Sequence, residues 1–180
     1  SFIFGSVAIG TTPTVTADFG SGSEAKALTT PTMISVKNVA GVYTVRWIPL
    51  GNPTGVFGAV GTAQVIAAAT SSGDIAICQL SATLAIVLYK NASNYPQAAI
   101  VDQTGAKVSG HTPIQIEAAA AEQTMQIIKV SATTAVAIWG GGSGARAVHL
   151  TVSGTTVTAG TVVAVSGNNS NATAICMLTA

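Results

Sequence analysis

Side chains able to do acid, base, nucleophilic or metal chemistry are few in this chain and stand apart. The carboxylates are Asp18, Glu24, Asp74, Asp102, Glu117 and Glu122, and acid and base work on a glycosidic bond needs two of them facing one another. Only Asp102 falls within a predicted strand, where a solvated strand residue is the simpler reading. His111 and His149 are the two histidines; neither has a second histidine or a paired carboxylate at ligand spacing, so neither points to a metal or a catalytic base.

The cysteines are Cys78 in "AICQL" and Cys176 in "AICML". With no C-x-x-C spacing, metal binding is not expected. Ile128 holds the corresponding place between them, so the position reads as a buried small hydrophobe, and a disulfide across two repeats is not expected. The chain has no G-x-S-x-G elbow, no G-x-x-x-x-G-K-[ST] loop, no H-E-x-x-H helix and no D-x-[DN]-x-[DN]-G run. The Gly-rich "WGGGSGARA" from Trp139 joins strand to strand and meets no helix N-terminus that would hold a phosphate. No catalytic residue, cofactor or metal is assigned, and an enzyme is the least favoured class.

Aromatic residues carry the sharpest pattern. Trp47, Tyr89 and Trp139 close three similar stretches, "VYTVRW", "TLAIVLY" and "TAVAIW". The leading reading is core packing between repeated units, where a large ring buries up to about 250 Å². The other is a ligand platform, because an aromatic face stacks on a sugar ring and a repeated site repeats its aromatic. "NAS" at Asn91, "NNS" at Asn168 and "NAT" at Asn171 fit the glycosylation sequon but read as turns.

The elements that position these residues are repeats. "LSATLAIVLY" from Leu80 returns 50 residues later as "VSATTAVAIW" from Val130, and "LTA" from Leu178 follows 48 residues after that. Gly105 falls on Gly154 at a spacing of 49, which sets Ile114 on Val163 and Ile116 on Val165. A shorter copy reads "VAGVYTVRW" from Val39, and "GTTPTVTA" from Gly10 echoes "GHTPIQIE" from Gly110. The units run approximately 1–38, 39–79, 80–129 and 130–180 within a single repeat domain.

The clearest unit predicts four short strands, "TLAIVLY", "QAAIVDQ", "HTPIQIE" and "TMQIIKV", each bounded by turn-forming residues. "EAAAAE" from Glu117 is too short for a stable helix and reads as a connection or one turn. The expected fold class is all-β, with about four propeller-like units of short antiparallel strands, closed alone or completed by oligomerisation. Four short strands at this period are the mark of propeller blades, and each copy covers its apolar face with the next.

Charged residues make up 7% of the chain, against about 25% in an ordinary soluble domain. Seven basic and six acidic side chains are scattered, net +1, so no footprint for nucleic acid or an acidic lipid surface is visible. The most apolar stretches are strand-length, and no membrane span is expected. "SFIFGSVAIG" lacks a basic start and reads as a first strand. Low charge also removes the usual guard on exposed strand edges, which favours a chain that is closed or assembled.

The "LSAT-x-A-x-x-x-[YW] … SGTTVTAGT" pattern resembles the degenerate propeller-type repeats of bacteriophage tail-fibre and other virion-associated proteins, and of related bacterial surface proteins. The likeness covers residues 80–180 clearly and the first 79 loosely. It implies a non-enzymatic structural or adhesive virion component, such as a tail, fibre or capsid-decorating protein, located in the virion. Its partners would be copies of itself or other virion proteins. The alternative is a lectin-like adhesin, extracellular or at the cell surface, that binds surface glycans through Trp47, Tyr89 and Trp139. Family members often carry more units than four, which leaves ring closure open.

Overall fold

Runs of Val, Ile, Thr and Ala, cut by Gly, Ser, Asn and Pro, favour extended strands joined by short turns. A computed structural model describes residues 24–27, 32–39, 42–49, 64–67, 74–102, 107–121, 124–142, 144–167 and 174–176, with the side chains of 24–49 described only at Val42. The first strands are β1 (Glu24–Ala27), β2 (Thr32–Val39), β3 (Val42–Pro49) and β4 (Gln64–Ala67). A second group comprises β5 (Ala76–Gln79), β6 (Leu84–Lys90), β7 (Pro96–Asp102) and β8 (Ile114–Gln115). Last come β9 (Met125–Lys129), β10 (Thr134–Gly141), β11 (Gly144–Ser153), β12 (Thr156–Ala159) and β13 (Val163–Ala164). Among the described residues there is no helix, and none long and apolar enough to cross a membrane. Within "EAAAAE", Ala118 and Ala119 form a bend.

Each group is one antiparallel sheet: β1-β2-β3-β4, then β5-β6-β7-β8, then β12-β11-β10-β9 with β13 also on β11. The second and third sheets repeat the pairing of four strands, β5-β6-β7-β8 on β9-β10-β11-β13, while β12 has no counterpart strand among the described residues of the second sheet. Ala76↔Leu88 recurs as Gln126↔Ile138. Leu84↔Asp102 recurs as Thr134↔Thr151, and Ala98↔Ile114 recurs as Ala147↔Val163.

The repeated "SAT" is a hairpin turn. Leu80 N–H and Ser81 N–H both donate to the Leu84 carbonyl, at 2.9 and 3.2 Å, and Val130 and Ser131 do the same to Thr134 at 2.9 and 3.1 Å. Within each turn the serine hydroxyl accepts from a threonine N–H, Thr83 to Ser81 at 3.3 Å and Thr133 to Ser131 at 3.2 Å. A small hydroxyl that bonds the backbone two residues on is what such a turn selects.

That turn regroups the strands. "TMQIIKV" ends the unit 80–129, yet its strand β9 pairs with β10 across the turn rather than with the strands before it. Each repeated sheet therefore takes its first strand from the end of the preceding unit, and sheet boundaries run one strand ahead of Leu80 and Val130.

The sheets stack face to face, with the second in the middle. One of its faces, including Cys78, Ile86, Leu88, Ala98 and Ile100, packs on Ile127, Ala135, Ala137, Trp139, Val148 and Leu150 of the third sheet. The opposite face, Ile77, Ala85, Val87, Tyr89, Ala99 and Val101, packs on Ile66 of β4. Burial on both sides explains why β6, "LAIVLYK", is apolar without alternation, whereas β10 alternates between buried and half-buried positions. Closure of a propeller within one chain, one of the two expected outcomes, is not found among the described residues, whose sheets are three separate open ones.

Candidate functional site

Tyr89 and Trp139 occupy equivalent places, each on the face its sheet turns toward the preceding one. Tyr89 is 3% exposed and Trp139 1%. They belong to different cores, Tyr89 to the one shared with β4 and Trp139 to the one between the second and third sheets. Neither ring offers a face to a ligand in solvent. Trp47 stands in β3 opposite Ile34, and its side chain lies outside the described residues.

Among the described residues two ion pairs tie segments of the chain together. Arg146 Nη1 donates to Glu117 Oε1 at 2.6 Å, tying the connection after β8 to β11. Lys90, with 6% of its side chain exposed, faces Asp74 at 3.7 Å, as a buried ammonium requires. Asp102 ends β7 half-buried opposite Leu84. Asp18 and Glu122, and the side chain of Glu24, lie outside the described residues. Among the described residues no three His, Cys, Asp or Glu side chains stand where one metal ion would join them.

His111 is buried, and its Nδ1–H donates to the Thr155 carbonyl at 2.9 Å. That bond fixes the neutral tautomer, leaving Nε2 as a buried acceptor without a protein partner. Burial pushes the imidazole below its ordinary value of 6.5, the Thr155 carbonyl pulls it back up, and Lys107 pushes it down again. His149 is exposed on β11 with Nδ1 3.5 Å from the Thr151 hydroxyl.

Cys78 is buried in the core, as its position in the repeat implies, but Cys176 is exposed. Equal places in a repeat have equal surroundings only where the same neighbour is present. Asn91 works as a turn residue: its Oδ1 accepts from Ser93 N–H at 2.9 Å and Tyr95 N–H at 3.0 Å. Asn168 and Asn171 lie outside the described residues, as do "SFIFGSVAIG" and "GTTPTVTA".

What the sequence reading missed is a surface. The third sheet's outer face is the counterpart of the second sheet's covered one: Val136 stands for Ile86, Ile138 for Leu88, Ala147 for Ala98, and Val163 for Ile114. Ile86, Leu88 and Ala98 are fully buried, whereas Val136, Ile138 and Ala147 are half-buried. Ile114 and Ile116 pack on the core, while Val163 and Val165 are 53% and 58% exposed. The spacing of 49 already sets these pairs together, but a spacing does not tell which copy is covered.

Comparison with protein-family models, with curated proteins and with solved structures finds no match to this chain.

Proposed function

We propose that this is a non-enzymatic structural protein that works by assembly, in the manner of a virion component such as a tail, fibre or capsid-decorating protein. The observation that carries the reading is the apolar outer face of the third sheet, a repeat of a face that is buried one sheet earlier. A sheet face that leaves Val163 and Val165 exposed, on a protein with 7% charged residues, is a surface for a protein neighbour. The finer architecture in this reading is propeller-like: successive sheets stack face to face, the second and third each borrowing a first strand from the unit before, and copies complete what one chain leaves open.

The lectin alternative draws nothing from Tyr89 and Trp139, whose rings are enclosed. The enzyme class draws nothing from the ion pairs, each of which joins opposite charges to hold two segments together.

Native mass measurement and sedimentation of the purified chain over a broad concentration range test the proposal. Mass that rises with concentration, with no hydrolytic activity on glycan or ester substrates, is the expected result. A chain that stays monomeric at its solubility limit overturns the assembly reading.

A further inference from the structure

We infer that the outer face of the third sheet receives a sheet from a second copy of this chain, head to tail, so that copies extend the stack already built within each one. The inference rests on the assembly reading and adds to it the surface, the occupant and the symmetry.

The contact that would be repeated is already present inside the chain. The second sheet's face carrying Cys78, Ile86, Leu88, Ala98 and Ile100 is sealed by the third sheet. The third sheet repeats that face as Ile128, Val136, Ile138, Ala147, Val163 and Val165, with the strand pairing that lines them up conserved between the two sheets. A surface that reproduces an occupied one in register and in several of its apolar positions accepts the same kind of occupant. Val163 and Val165, two of the four large hydrophobic residues left exposed among the described residues, lie at this end of the stack.

One segment is already seated there. Ile175 N–H donates to Gln126 Oε1 at 3.0 Å, and Gln126 is on the outer face, beside Ile138 and Ala147 in register. In the repeat, Cys176 corresponds to Ile128 of β9, the strand that packs across β5. Ile175 is thus held at Gln126 of β9, along one margin of the face. Val136, Ile138, Ala147 and Val163 remain beside it for further strands.

His149 and Gln126 stand where the second sheet has Ile100 and Ala76, so the outer face is less apolar than the one it copies. An association weaker than the intrachain contact follows, one that depends on concentration. The surface that reaches it on the second copy is the first sheet, β1-β2-β3-β4, whose other side meets the second sheet through Ile66. A contact between unlike faces is heterologous and builds rings or open stacks rather than closed pairs.

The test uses the whole chain with Val163→Lys and Val165→Lys together, both at exposed positions, so that folding is preserved and is checked by far-UV circular dichroism and thermal unfolding. The variant alone is expected to sediment as a monomer at concentrations where the native chain associates. Mixed with native chain, it is expected to cap the stacks, because its first sheet is intact: it co-sediments and lowers the average mass. Val136→Lys is a second variant expected to act the same way. If the variants self-associate as the native chain does, assembly stands but uses another face, and this inference falls alone. If they neither self-associate nor join native chain, the contact is between like faces and the head-to-tail arrangement falls. A native chain that never associates overturns both readings.

Discussion

His111 donates from Nδ1 to the carbonyl of Thr155 across the seam between the second and third sheets, at 2.9 Å. Residues 44 apart in sequence are thereby joined by a neutral imidazole whose other nitrogen is buried without a protein partner. Protonation would place an N–H and a charge where nothing accepts them.

Stability is therefore expected to fall with acid through this group. The folded-state value is depressed below 6.5, so the unfolded chain takes up the proton first as pH drops. The contribution is complete above 6.5 and is lost as pH falls through the folded value. Urea unfolding midpoints between pH 8 and 5, roughly the span in which histidine titrates, should decline, with His111→Gln flattening the decline. An unchanged slope in the variant would remove His111 as its source.

Trp139→Ala is expected to cost about 3–5 kcal/mol, because a fully enclosed indole leaves a large cavity between two sheets. Tyr89→Ala acts on the other interface of the second sheet and should be of similar size. Denaturant titration measures both. A loss under about 1 kcal/mol in either would mean that the ring is not the wedge its burial implies.

Asp74→Asn leaves the enclosed Lys90 ammonium without its counter-charge and is expected to destabilise by about 1–3 kcal/mol. Lys90→Met in the same background should restore most of that loss, since a methylene chain fills the site without a charge to satisfy. Failure of the double variant to recover would place the cost in packing rather than charge.

Glycine positions differ by cause. A Cβ at Gly141 would stand 3.0 Å from the Ala120 carbonyl oxygen, so Gly141→Ala is expected to cost about 1–3 kcal/mol by steric displacement. Gly154, at φ +56 in the two-residue turn between Ser153 and Thr156, has open space around it but a backbone that favours glycine. Gly154→Ala should cost about 1 kcal/mol and Gly154→Asn less. Gly167→Ala, with open space and no such backbone, should be neutral by the same thermal unfolding assay.

The strand content was legible because it is local. "TLAIVLY", "QAAIVDQ" and "TMQIIKV" correspond to β6, β7 and β9, and "HTPIQIE" contains the much shorter β8. Their grouping was less so. "TMQIIKV" reads as the close of its unit, but the Ser131 turn bonds it forward to β10, and a repeat can be cut at any point of its period without changing its period. The environment of Cys176 was misread for a related reason: matched to Cys78, it lacks the sheet that covers Cys78.

By itself the sequence determined that the chain is built from short strands, that a unit recurs at 48 to 50 residues, and that Tyr89 and Trp139 are equivalent. Turn chemistry and apolar periodicity are properties of neighbouring residues, and spacing makes equivalence countable. Only the tertiary structure decided that these rings point into the stack, that the second sheet is buried on both faces, and that the third leaves Val163 and Val165 in water. Burial depends on what stands opposite a face, and the residues of that face do not contain it.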